Sequence, residues 1–315
     1  MGVSHRFEMF KFNFEVAESS VEELGPSPLK KIKSDDSEIT NSDNDENCIK
    51  WYLAEKVIPT EALFNNLDLF ELNLKERKVG TLELRHLIAG FLLEDIKTHS
   101  DVDSRDIKKS EESHSDLITG VYEGGAKIWE CTDDLLLYLS ENIDSNYWAD
   151  KRVLDLGCGA GLLGIYALKS GAKIVDFQDY NKDVLEQITL PNVLLNLEQT
   201  TNAEKLKQLK TQTNFYAGDW AHFAELTDKM EKYNIILTSE TIYNIENQQK
   251  LLDTLKKRLA LGGVVLVAAK SHYFGVGGGL EQFIDVVNKD QVFKAKNLWQ
   301  ASENLKRGIL ELKWQ

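Results

Sequence analysis

Residues 153–164, VLDLGCGAGLLG, place an apolar run, a glycine-spaced turn and a second apolar run end to end. Val153 and Leu154 suit a buried strand. Leu162, Leu163, Ile165 and Leu168 recur at helical spacing, so the stretch predicts strand, turn and helix. Apolar runs of strand length return at 173–177, 214–217, 233–237 and 264–269. The stretches 292–299 and 308–314 alternate like two last strands, a hairpin with one strand antiparallel to the rest. Between the runs the pattern predicts helices over 183–197, crossing Pro191, over 251–261, closed by Gly262 and Gly263, and over 282–288. Residues 198–212 are polar and read as an insertion or extended loop. Ahead of the glycine turn, 120–125 reads as a flexible lead-in. Thr132 then predicts the N-cap of a helix whose first turn carries Asp133 and Asp134 and whose apolar face carries Leu135, Leu136 and Leu139.

The first third is patterned differently. Residues 1–48 predict a disordered acidic tail: Asp35, Asp36, Glu38, Asp43, Asp45 and Glu46 follow one another with no base between them. Within it, 26–33 with Lys30, Lys31 and Lys33 is a candidate nuclear import signal. Residues 49–116 form an N-terminal extension. There 49–53 and 68–74 alternate in a strand-like way, 81–88 mixes both periods, His86 reads as structural, and 94–116 reads as a mobile connection. The catalytic domain is expected over 117–315. The N-terminus has no long apolar run, so neither a signal peptide nor a membrane span is expected, and Arg6 breaks the lipidation pattern that Gly2 would begin.

Charge narrows the partners. A net charge of −14 opposes direct binding to bare nucleic acid and suits a basic protein partner, although solubility alone also accounts for it. Cys48, Cys131 and Cys158 are too scattered for a disulfide framework or a zinc site, so no metal is expected and a reduced intracellular setting fits.

The chemistry gathers where strands end. The turn before 162–168 offers unpaired backbone N–H groups to an anionic ligand end. Gly159, Gly161 and Gly164 fit the dinucleotide pattern with Asp179 about twenty residues on. Asp155 in the preceding strand suits instead the loop of methyltransferases that use S-adenosylmethionine. A purely structural turn is the third reading. An acid at 179 can hold ribose hydroxyls, and Tyr180 can pack on a base. Asp219 can accept from an adenine amino group, and Trp220 can cover the ring. Residues 238–244 lie at the end of the next strand, where ligands of open α/β sheets bind.

Taken together, GGAKIWECT, VLDLGCGAGLLG, FQDYN, GDW, LTSETIYN and KSHYFGVGGG resemble the eukaryotic protein-histidine N-methyltransferases of the seven-strand, methyltransferase-like group. The resemblance runs from about Gly120 to Trp314. It implies a class I methyltransferase (Rossmann-like) α/β fold: a seven-stranded sheet ordered 3-2-1-4-5-7-6, helices on both faces, and an N-terminal extension. It implies S-adenosylmethionine as cofactor, contacted by Ile128, Trp129, Glu130, Cys131, Thr132, Gly157, Gln178, Asp179, Tyr180, Gly218, Asp219, Trp220 and Ser239. The family often has Glu where Asp219 stands; the carboxylate is kept. The implied reaction methylates the tele nitrogen of a histidine in a large-subunit ribosomal protein, by a monomer of the cytoplasm and nucleus.

A neutral imidazole is already a nucleophile, so positioning and tautomer control carry the catalytic demand. Glu240, Tyr243, Asn244 and His272 are the candidates by position. The competing readings are a lysine-directed methyltransferase on the same scaffold, a cofactor-binding chaperone for a basic ribosomal client, and a NAD-dependent dehydrogenase supported by the glycine turn alone.

Overall fold

The structure is a computed structural model and describes residues 51–88, 105–301 and 306–315. The acidic tail, the lysines at 30–33, Cys48 and the early part of 94–116 lie outside the described residues.

Alternation along the strands explains the layers. The strands are β1 Glu55–Val57, β2 Leu74–Val79, β3 Leu82–Leu87, β4 Arg152–Leu156, β5 Ile174–Asp179, β6 Thr213–Ala217, β7 Tyr233–Ser239, β8 Leu259–Lys270, β9 Phe293–Gln300 and β10 Arg307–Trp314. On β4, Val153 belongs to one apolar cluster and Leu154 and Leu156 to another; β8 divides Leu266 and Ala268 from Val265 and Val267 in the same way. Both faces of the sheet are therefore buried, and helices cover both. The helices Glu130–Asn142 and Leu162–Lys169 bring Leu135, Leu139, Leu163 and Ile165 to the first cluster. The helices Trp220–Leu226, Ile245–Arg258 and Leu280–Asp290 bring Phe223, Leu251, Leu255 and Phe283 to the second.

The main sheet has eight strands, ordered β1-β6-β5-β4-β7-β8-β10-β9. The pairs β6·β5, β5·β4, β4·β7 and β7·β8 are parallel, and β10 runs antiparallel to both its neighbours. Without β1, this is the order 3-2-1-4-5-7-6. The added strand comes from the N-terminal extension: Lys56 pairs with Tyr216, antiparallel. The extension thus joins the sheet of the domain behind it, and β2 and β3 form a separate hairpin.

Several local expectations change. Residues 68–74 alternate, yet Leu67–Leu72 is helical and only Leu74 begins a strand. The stretch 105–116 is not a mobile connection: Arg105–Glu112 is a helix, and the Asp183 carboxylate accepts the N–H groups of Asp106 and Ile107 at 3.2 and 3.0 Å. The polar stretch 198–212 holds the helix Asn202–Gln212, started by a reciprocal capping box between Thr201 and Glu204. Pro191 is accommodated because Leu185–Thr189 widens to a π turn just before it. The helix expected over 251–261 instead spans Ile245–Arg258, and a register shift between β7 and β8 takes up Gly262 and Gly263. His86 is structural, as read: it is buried, its Nδ1 lies 3.0 Å from the Leu87 carbonyl, and burial lowers its pKa.

Candidate active site

The ends of β4, β5, β6 and β7 open on one cleft of about 880 Å³, including its mouth. Asp155 and Gly157 come from β4 and the turn after it, Asp179 and Tyr180 from the end of β5, Asp219 and Trp220 from the end of β6, and Ser239 and Glu240 from the end of β7. Ile128, Trp129 and Thr132 close the near side. Nine of the thirteen residues expected to contact a cofactor line this cleft.

The other four do not line it. Gln178 is buried; its amide nitrogen donates to the Gly218 carbonyl at 2.7 Å and its amide oxygen lies 3.4 Å from Gly157 N, so it braces two turns. Cys131 is buried and offers its backbone N–H to Glu240 at 3.3 Å. Glu130 begins the helix and pairs with Lys270 at 3.2 Å; burial would raise its pKa, but Lys270 brings the balance below the usual carboxylate range. Gly218 hands its N–H to the Asp179 and Tyr180 carbonyls. Trp129, not Thr132, is the helix N-cap, which frees the Thr132 hydroxyl to meet the Ser239 hydroxyl at 2.7 Å.

Two buried acids give the cleft its electrostatics. Asp179 is 5% exposed and accepts the N–H groups of Gly159 and Asn181 at 2.8 and 3.1 Å. Burial still outweighs those bonds and pushes its pKa up to about 6. Asp155 accepts the Gly164 N–H at 2.8 Å, and burial pushes it up to about 8, with Asp179 adding to the rise. A carboxylate has about four lone-pair sites, so Asp179 keeps acceptor capacity for hydroxyl groups of a ligand. Asp219 caps the helix Trp220–Leu226 through the Ala221 N–H at 2.9 Å, and its other oxygen pairs with Lys250 at 2.6 Å.

A second, smaller cavity adjoins the first and shares Glu123, Gly124, Trp129, Glu240 and Tyr243 with it. Its further walls are Tyr273, Phe274 and Val276, with Asp116 and Leu117. Two carboxylate–tyrosine pairs stand here: the Tyr243 hydroxyl donates to Glu123, and the Tyr273 hydroxyl to Glu240. Glu123 also accepts the Gly120 N–H at 2.8 Å, and burial raises its pKa. Glu240 sits at φ +59°, a strained conformation for a residue with a side chain.

Of the four catalytic candidates, the structure brings Glu240 and Tyr243 to this junction and leaves two outside. Asn244 caps the helix Ile245–Arg258 through the Glu246 N–H at 2.9 Å. His272 is exposed, edge-on to Phe274, and lines neither cavity. Sequence reasoning missed Glu123, because 120–125 read as a flexible lead-in. In fact the Tyr122 hydroxyl accepts the Ala126 N–H at 2.9 Å, Ile118 bridges Tyr122, and Tyr122 is buried. It also missed Trp51, and Asn247 with Lys250, which the i, i+3 spacing puts on one helix face. Among the described residues, no group of three or more His, Cys, Asp or Glu is placed to hold a metal ion, and no helix is long and apolar enough to cross a membrane.

Strand order, glycine turn and cleft together define a class I methyltransferase fold. Residues 113–290 match the family model described as lysine methyltransferase. The histidine protein methyltransferase 1 homolog of Bos taurus is 48% identical over 223 residues, covering 65% of this chain and 59% of that protein. The histidine protein methyltransferase 1 of Schizosaccharomyces pombe is 30% identical over 241 residues, covering 66% of this chain and 70% of that protein. The chain belongs to this methyltransferase family, in the branch of the histidine protein methyltransferases. It spans 59% of the bovine relative's length.

Proposed function

We propose that the protein methylates a histidine of a basic protein substrate, with S-adenosylmethionine as methyl donor. The observation that carries this reading is the junction of two cavities. The cleft over the ends of β4, β5 and β6 fits an adenosine and a cationic amino-acid end; the aromatic-walled cavity beside it fits a flat acceptor ring. They meet at Trp129, Glu240 and Tyr243.

The residues present suit the donor. Asp179 has acceptor capacity for ribose hydroxyls, and Asp155, buried with no cation beside it among the described residues, suits a positive ligand end. S-adenosylmethionine, when bound, supplies a methyl carbon made electrophilic by a cationic sulfur. The chain's own task is to hold a neutral imidazole in line with that carbon, an effect worth roughly 7–11 kcal/mol at best. Trp129, Tyr243 and Phe274 confine the ring. Glu123 or Glu240 accepts the N–H of the ring nitrogen that does not react, which selects the tautomer with its lone pair toward the donor. As the imidazole nitrogen bonds to the methyl carbon, the carbon–sulfur bond would break with its electron pair left on the sulfur; the ring turns cationic, and the same carboxylate balances that charge and receives the ring N–H proton.

The finer reading is that the tele nitrogen reacts and that the substrate is a large-subunit ribosomal protein; the protein's own charge of −14 supports a basic client. Peptides carrying His, Lys or tele-methylhistidine at the acceptor position test this. Methyl transfer to the His peptide alone, giving tele-methylhistidine by chromatography, is expected. Transfer to the Lys peptide would favour a lysine-directed enzyme instead.

A further inference from the structure

The segment 51–54 crosses the far end of the donor cleft, outside the stretch 113–290 that the family model matches. Tyr52 fastens it. The Tyr52 ring stacks on Tyr180, centroids 4.9 Å apart and planes 6° from parallel. Tyr52 N–H lies 3.3 Å from the Tyr180 hydroxyl, and the Tyr52 carbonyl accepts the Asp219 N–H at 3.0 Å. The Tyr52 hydroxyl reaches Asp106 at 3.1 Å. Beyond it, β1 pairs with β6. The close pass depends on Gly218: a Cβ there would stand 2.5 Å from the Leu53 carbonyl oxygen and 2.7 Å from Ala54 Cα. The glycine expected to contact a cofactor is thus needed for the crossing of the chain itself.

This crossing delivers Trp51 into the cleft. Its ring lies edge-on to Tyr180 at 5.8 Å, and the Lys250 ammonium, paired with Asp219, stands 3.5 Å from the ring centre. In an open α/β sheet a nucleotide lies across the strand ends. The sugar falls to the acid at the end of β5, and the base lies beyond it toward β6. Trp51 occupies that base end, together with Asp219 and Trp220.

We propose that Trp51 is a donor-binding residue, an aromatic wall that the N-terminal extension lays against the adenine. This rests on the donor-site reading above. The extension then completes the nucleoside site, and the strand pairing of β1 serves to aim one side chain.

The test uses the full chain and S-adenosylhomocysteine. Hydrogen exchange with and without the ligand should slow both at 51–58 and at 155–164. Slowing at 155–164 with none at 51–58 would overturn the proposal; no slowing at either, with no binding heat, would overturn the donor-site reading and this proposal with it. In calorimetry, Trp51→Ala should weaken S-adenosylhomocysteine about tenfold, the scale of a lost aromatic–base stack, and Trp51→Phe should recover most of it. Parental affinity in Trp51→Ala would overturn the proposal. The exchange experiment decides without depending on how well the variants fold.

Discussion

Asp179 Oδ2 accepts the backbone N–H of Gly159 at 2.8 Å, so the acid ending β5 holds the glycine turn that follows β4. The same carboxylate is the expected ribose acceptor. One side chain therefore shapes the loop and faces the ligand.

Asp179→Ala should cost both stability and affinity. From the sequence, an acid at a strand end is expected to tolerate removal with little effect on the fold. In the structure it is 5% exposed and satisfies two backbone N–H groups. Leaving buried donors unpaired costs about 1–3 kcal/mol each. Urea denaturation should show a lower midpoint, and calorimetry a weaker S-adenosylhomocysteine complex. An unchanged midpoint would contradict the placement of the side chain.

The ligand-free protein should lose stability as pH rises from about 4 to 8 through its two cleft acids. Asp179 and Asp155 are raised to about 6 and about 8 from 3.8. The folded state therefore binds more protons than the unfolded state across that window, and the slope of stability against pH is negative there. Their contribution is complete below about pH 4. Asp155→Asn mimics the neutral acid and should flatten the part between about 6 and 8, read from melting temperatures of both proteins.

Glu123→Gln and Tyr243→Phe should each slow methyl transfer about a hundredfold, the scale expected when a reacting group is misplaced by about an ångström. Donor affinity should change far less. His272→Ala, away from both cavities, should keep the parental rate and a stability within about 0.5 kcal/mol of it. Steady-state kinetics at saturating donor make the comparison. A slow His272→Ala enzyme beside a fast Glu123→Gln enzyme would reverse the assignment.

Gly278→Ala should impair transfer while sparing donor binding. Within the glycine loop 275–279, Gly278 packs closely against the protein's own backbone. Gly278 donates its N–H to the Tyr243 carbonyl at 2.9 Å, and a Cβ there would lie 2.3 Å from the carbonyl oxygens of Ile242 and Tyr243. The substitution pushes on the segment that carries Tyr243. A rate equal to the parent's would show that the segment yields without cost.

What the sequence determined by itself is local. Apolar runs of strand length along β4, β5, β7 and β8, and glycines whose turn leads into a helix, specify strand, turn and helix wherever they occur. The acids that end β5 and β6 are then placed by the strand ends alone. The helix Asn202–Gln212 was equally legible, since Thr201 and Glu204 spell its capping box, but the polar composition masked it. The tertiary structure decided what depends on contacts distant in sequence. Asn244 follows Tyr243 in the chain and His272 precedes Tyr273, yet one is used as a helix cap and the other faces solvent. Glu123 meets Tyr243, and Trp51 meets Lys250, across spans that no periodicity covers. Burial is equally non-local: Asp155 on β4 and Asp179 on β5 lie on paired strands of the packed sheet, and burial there raises their pKa values. Local pattern sets which backbone a segment adopts; only the packed sheet sets which side chains share a cleft and how dry that cleft is.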